Sequence, residues 1–317
     1  MEPASLWKSR HIADCLELAI LLESSAHKPG NVSVVTNFEG TRYEHFLASA
    51  VAVTPCLEYA AERGIAVSKG EIHASEVGVG RVIKDCVENI NAWQHGGNTL
   101  LGTVILLSPI AVAAGMSRSE KGIFDAVEIR KNLRLIVEST TPEDAVELYE
   151  AIRNANPSGL GKVPDLDVND AHSMSKILHE KISLYQIFKI ASKYDTICSE
   201  WVNDYGITYD FSYPYLTEQI NKTDDLSEAI IQTFLKVLAE YPDTFIARKT
   251  GFEKAKEVSA KANQILRLGA LETSIGRESL RKFDEELRRE SNLLNPGTTA
   301  DIIAAALALC VLGGYRP

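Results

Sequence analysis

Apolar positions recur along the chain at three- and four-residue steps. Ile12, Cys15, Leu16, Ala19 and Leu22 share one face of a helix. Ile230, Ile231, Phe234 and Leu238 repeat the pattern within Leu226 to Leu238. Phe252 to Leu268 is rich in Ala, Lys, Glu and Leu, all good helix formers. Arg277 to Arg289 is so strongly charged that it predicts a solvated helix. Two segments are apolar on every side: Leu100 to Ala114, interrupted by Pro109, and Ile302 to Leu312. Both predict buried helices. Neither reaches the ~20 residues of a membrane span, so no membrane association is expected.

Strand-like alternation is scarce. Asn31 to Phe38 holds a β-branched cluster among turn residues and predicts an extended loop. Tyr205 to Tyr215 is aromatic and irregular, which also predicts a loop. Asn154 to Asp170 carries several Gly and Pro turn signals and predicts an exposed connection. There is no internal repeat, low-complexity tract or long linker. The expectation is an all-α fold, one multi-helix domain over residues 1–317.

Composition changes this picture little. The 317 residues are 45% hydrophobic and 24% charged, ordinary for a chain that buries a core. The net charge of -10, with no basic tract, argues against a nucleic-acid partner but allows a local basic pocket for a small anion. Cys15, Cys56, Cys86, Cys198 and Cys310 are scattered without a CxxC pair. That predicts reduced thiols in a cytoplasmic protein rather than a zinc cluster. The charged first residues do not resemble a secretion signal.

Candidate chemistry gathers at three Gly turns with an Asn beside apolar helices. His27-Lys28-Pro29-Gly30-Asn31 closes the first helix; Pro29 cannot continue it and Gly30 can turn left-handed. Glu23 falls on the apolar face of that helix, where a carboxylate needs a partner, a metal or a proton. Gly96-Gly97-Asn98-Thr99 precedes the first apolar run, where Asn98 or Thr99 can cap the helix and the bare N–H groups can take an anion. In Asn295-Pro296-Gly297-Thr298-Thr299-Ala300-Asp301, Thr298 and Asp301 fit a capping box. Alternatively, Asp301 faces a pocket and holds Mg²⁺. One basic motif, Arg248-Lys249-Thr250-Gly251 after Asp243, is either a helix end favoured by the dipole or a phosphate clamp.

In this order the motifs resemble the triphosphoribosyl-dephospho-coenzyme A synthase family. The carboxylate and KPG turn correspond to Glu23 and Lys28-Pro29-Gly30, and the NT-x-x-G stretch to Asn98 through Gly102. The D-x-x-x-x-R-K-x-G element corresponds to Asp243 through Gly251, and the NPG-x-x-AD signature to Asn295 through Asp301. Leu100 and Leu101 stand where the family usually carries His-Lys, and Glu44 is the sole acid equivalent in Thr41 to Phe46. The pattern is similar to a divergent archaeal-type branch.

The resemblance implies an enzyme that joins ATP to 3'-dephospho-CoA with release of adenine. It implies Glu23 and Asp301 as catalytic carboxylates, with Glu44 beside them as Mg²⁺ ligands. It further implies that Lys28, Arg248 and Lys249 neutralise phosphate. Asn31, Asn98, Thr99 and Asn295 would hydrogen-bond ribose and phosphates, and Gly30, Gly97 and Gly297 would allow close backbone approach. A transferase acting on another acceptor and a non-catalytic nucleotide-binding helical protein are the alternatives. The long apolar helices leave room for a homodimer contact.

Overall fold

The computed structural model describes residues 3–160, 166–289 and 292–317. Among them the fold is all-α, with one small hairpin. Its helices are α1 (Pro3–Ser25), α2 (Tyr43–Ser68), α3 (Val79–Trp93), α4 (Leu101–Met116), α5 (Ala126–Glu138), α6 (Pro142–Ala155), α7 (Ala171–Glu180) and α8 (Leu184–Ala191). Then follow α9 (Thr196–Val202), α10 (Tyr213–Lys222), α11 (Leu226–Glu240), α12 (Thr244–Thr250), α13 (Phe252–Arg267), α14 (Ser274–Arg288) and α15 (Gly297–Leu312). The hairpin pairs β1 (Ser119–Glu120) with β2 (Ile123–Phe124) across a turn with positive φ at Lys121 and Gly122.

The two apolar runs are buried helices at the centre. Every residue of α15 from Ile302 to Leu312 is buried, as is α4 from Thr103 to Gly115. α1 packs against α2 and α15, and α2 against α3 and α4. Close approach of α2 and α4 needs glycine: a Cβ at Gly64 would lie 1.9 Å from the Val112 carbonyl oxygen. α14 is the solvated helix its charge predicts, burying only Gly276, Phe283 and Leu287.

One expected helix needs a compensating donor, and one local expectation is corrected. Pro109 interrupts the apolar composition but not the helix, which runs through it. Proline lacks the N–H that would bond the Ile105 carbonyl four residues back. Trp201 supplies the missing donor, its Nε1 lying 3.2 Å from Ile105 O, and Tyr205 donates its hydroxyl to Leu106 O at 3.1 Å. The segment Tyr205 to Tyr215 is accordingly not a loop. Its core, Ile207–Ser212, is a π-helical turn that continues into α10. Buried Glu200 accepts the N–H groups of Ile207 at 2.9 Å and Thr208 at 2.8 Å, and Ser212 donates its hydroxyl to Ile207 O at 3.0 Å. Tyr205 and Tyr209 are buried and Phe211, Tyr213 and Tyr215 half-buried, so an irregular composition conceals a packed helix.

Asn31 to Phe38 is irregular, as expected, held by an isolated bridge between Ser33 and Thr36. The connection from Asn154 to Asp170 lies partly outside the described residues; the last two turn-forming helical residues, Asn154 and Ala155, close α6.

Candidate active site

A cavity of about 730 Å³ opens where the ends of α1, α4, α12 and α15 meet. Its lining includes Glu23, Asn31, Gly97, Asn98, Thr99, Arg248, Lys249, Asn295, Gly297 and Asp301. Segments more than 270 residues apart along the chain thus contribute to one concave surface, of a size ordinary for a small-molecule site.

The carboxylates stand at its inner wall. Glu23, near the C-terminus of α1, is 7% exposed. The Lys28 ammonium lies 3.1 Å from its Oε1 and donates to the backbone carbonyls of Glu23 and Ala26. Burial raises the Glu23 pKa, and the positive charge of Lys28 opposes that rise. Asp301 is the fifth residue of α15. Its Oδ1 accepts the Thr103 hydroxyl of α4 at 2.6 Å. A Cβ at Gly102 would lie 2.0 Å from its Oδ2, so only glycine leaves room for the carboxylate there. Burial pushes Asp301 up to about 8; the Thr103 hydrogen bond opposes this, while the negative charges of Glu23 and Asp243 add to it. The Thr298–Asp301 capping box does not form. α15 starts without a side-chain cap, Thr298 lies against Thr244 with hydroxyls 3.3 Å apart, and Asp301 is turned across to α4 instead.

The Gly96–Thr99 turn makes another wall. Asn98 Oδ1 accepts the Leu101 N–H at 3.1 Å, satisfying an orphan amide of α4, as a cap does. Thr99 shares a 2.7 Å hydrogen bond with Ser49 of α2. Gly97 has φ +78 and faces open space, whereas a Cβ at Gly96 would strike His45 Nδ1 at 2.0 Å. Leu100 and Leu101 also line the cavity, as apolar surface.

The basic pair closes the third side from the last turn of α12. Arg248 is ion-paired with Asp195, the N-cap of α9. Lys249 lies 4.0 Å above the Phe245 ring and donates to Asn292 O at 3.0 Å. Burial, reinforced by Arg248 and opposed by Asp243, lowers its pKa to about 8. Asp243 itself is spent on structure. Its Oδ1 caps α12 at Phe245 N (2.9 Å) and Ile246 N (3.0 Å). Its Oδ2 accepts Thr299 N (2.7 Å) and Oγ1 (2.8 Å), tying α12 to α15.

Three expected site residues are not brought to the cavity. Glu44 lies in the first turn of α2 with its side chain 67% exposed, 4.0 Å from Arg42. Lys28 is buried behind Glu23. Gly30, at φ +75, donates its N–H to Asp284 Oδ1 at 2.7 Å and packs under Leu287 and Pro296. Conversely, Thr103, Ser49 and Asp195 support the site without a local signal in the sequence. Each works through a partner between 50 and 198 residues away, and nothing local in the sequence marks such a partner.

Glu23 and Asp301 line one cavity, close enough for the negative charge of the first to raise the pKa of the second, while no group of three or more His, Cys, Asp or Glu gathers as a metal cluster among the described residues.

The known proteins similar to this chain fall in one family. The family model described as ATP:dephospho-CoA triphosphoribosyl transferase matches residues 9–317. Over 91 residues the chain is 33% identical to the 2-(5''-triphosphoribosyl)-3'-dephosphocoenzyme-A synthase of Klebsiella pneumoniae, covering 29% of this chain and 30% of that protein. A probable synthase of the same name from Salmonella typhimurium is 30% identical over 91 residues, again 29% and 30% of the two chains. The matched region therefore spans about 30% of the length of these relatives. A crystal structure from Archaeoglobus fulgidus, assigned as a triphosphoribosyl-dephospho-CoA synthase, superposes with a TM-score of 0.62 at 22% identity. It covers 85% of this chain and 100% of its own, a likeness of fold. With a family match running from residue 9 to the last residue, the chain belongs to the ATP:dephospho-CoA triphosphoribosyl transferase family.

Proposed function

We propose that the cavity binds ATP and transfers its triphosphoribosyl group to a ribose hydroxyl of 3'-dephospho-CoA, releasing adenine. One observation carries the reading: two carboxylates, an Asn-Thr turn and an Arg-Lys pair share one concavity. In the reaction the bond between adenine and the anomeric carbon breaks and a bond from that carbon to the acceptor oxygen forms. The base leaves with the bonding electrons and takes up a proton, while the hydroxyl gives one up. The sugar passes through an oxocarbenium-like state, as in glycoside cleavage.

The chain's own groups suit each demand. Arg248 and Lys249 neutralise triphosphate charge, the arginine as a planar donor and the lysine as a point charge. Asn98, Thr99, Asn31 and Asn295 offer hydrogen bonds to the ribose and phosphates. Asp301, raised to about 8, carries a proton at neutral pH and can hand it to the departing base. Glu23, whose pKa burial raises against the opposing charge of Lys28, can in its ionised form accept the hydroxyl proton and balance the positive sugar.

The same two carboxylates would hold Mg²⁺, which would supply charge neutralisation on the triphosphate. A cation at Asp301 displaces the proton there, so acid and ligand roles exclude each other at that residue.

The test is adenine release by the purified protein, followed by chromatography with ATP alone, dephospho-CoA alone and both together. Release that requires both is expected, and Glu23→Gln and Asp301→Asn should each lower it at least tenfold. Nucleotide binding without release would instead identify a binding protein, and unchanged rates in both variants would end the residue assignment.

A further inference from the structure

Asp301 belongs to α15, but what orients it belongs to α4. The carboxylate is gripped from two sides by consecutive α4 residues. Thr103 donates its hydroxyl to Oδ1 at 2.6 Å, and Gly102, by lacking a Cβ, leaves the space that Oδ2 occupies. Thr103 is 4% exposed and lines the same cavity. A helical threonine can turn its hydroxyl back onto the carbonyl four residues earlier, as Ser108 does on the same helix to Val104 O at 2.6 Å. Thr103 instead reaches across the helix interface.

We infer that Thr103 is the positioning residue for Asp301: with Gly102 it fixes the carboxylate in the orientation the transfer reaction uses. The inference rests on the activity proposed above for what the orientation is used for. The grip itself stands on geometry alone. Asp301, the fifth residue of α15, stands past the orphan N–H groups of the first turn, so it is not held as a side-chain cap would be. α15 has no such cap, and the Thr103 hydroxyl is the one hydrogen-bond donor to Asp301 among the described residues. Removing that hydroxyl while keeping the side chain's volume should therefore release the acid from the reacting centre and leave the helix packing intact.

Misplacing a catalytic group by about an ångström costs on the order of 100-fold in rate. Thr103→Val should thus lower kcat by roughly 10- to 100-fold with the KM for ATP within about twofold of wild type. Thr103→Ser, which restores the hydroxyl, should recover most of the rate. Gly102→Ala attacks the other side of the grip and should lower kcat in the same way. Structures of Thr103→Val and Thr103→Ser supply a readout independent of activity: Asp301 should leave its α4 site in the first and keep it in the second. An unmoved Asp301 in Thr103→Val, or wild-type kcat in that variant, overturns the inference. An inactive wild type overturns the proposed function, and the position of Asp301 still decides the inference.

Discussion

Lys28 lies with its ammonium 3.1 Å from Glu23 Oε1, the lysine 1% and the glutamate side chain 9% exposed. The sequence suggests a phosphate-binding lysine at the KPG turn, but the fold commits this cation to a carboxylate and to the carbonyls at the end of α1. Breaking a buried ion pair from one side leaves an uncompensated charge. Lys28→Met should therefore destabilise the protein by about 3–5 kcal/mol in urea unfolding. Adding Glu23→Gln should recover part of that loss, because the carboxylate no longer needs a counter-charge. A double variant as unstable as the sum of the two singles would show that the pair is not coupled.

Asp301 makes stability depend on pH. Its folded pKa, about 8, lies above the unfolded value, so the folded state binds the extra proton. Its contribution is complete below about pH 4 and is lost as pH rises through about 8. Glu23, also raised, acts in the same direction. In metal-free buffer, Asp301→Asn should flatten the fall in stability between these limits by roughly 2–4 kcal/mol, allowing for the carboxylate's partial exposure. Thermal melts from pH 4 to 9 read this directly. Equal slopes for variant and wild type would place the acid in a watery environment.

Much of this arrangement is legible in the sequence because local physics writes it there. The apolar runs that become α4 and α15 leave no choice but burial, and Glu23 is conspicuous on an apolar face. Partner choice is not legible. Asp301 fits a capping box by spacing, yet pairs with Thr103; Asp243 opens the basic motif in the sequence, yet all its lone pairs face structural donors. The π-turn at Ile207–Ser212 hides for the same reason, since what holds it is the Glu200 carboxylate and the packing of Tyr205 on α4. These pairings arise from helix packing, which the one-dimensional pattern leaves undetermined.

Asp243→Ala therefore tests a structural reading of a buried acid. It removes the cap of α12 and both bonds to Thr299. A loss of about 2–4 kcal/mol in unfolding free energy is expected, larger than for a cap alone. Because α12 carries Arg248 and Lys249, ATP affinity should weaken along with stability. A variant of wild-type stability that has lost turnover would move Asp243 from the scaffold into the chemistry.

Arg248 and Lys249 should contribute separably to nucleotide affinity. Asp195 holds the guanidinium in place beside the cavity, so Arg248→Ala should weaken ATP binding by roughly 10- to 100-fold, as loss of charged hydrogen bonds does. Asp195→Asn should produce a smaller loss by loosening the same arginine. Lys249 is distinguished by its pKa of about 8, which follows from burial and the nearby arginine. As pH rises through that value the ammonium deprotonates and its attraction for phosphate disappears, so wild-type affinity for ATP should decline between about pH 7.5 and 9. A bound triphosphate favours the charged form and shifts the decline upwards. Lys249→Arg stays charged throughout and should bind with little change over that range. Calorimetric titration with ATP across these pH values distinguishes the two, and a flat wild-type profile would show that Lys249 does not meet the phosphates.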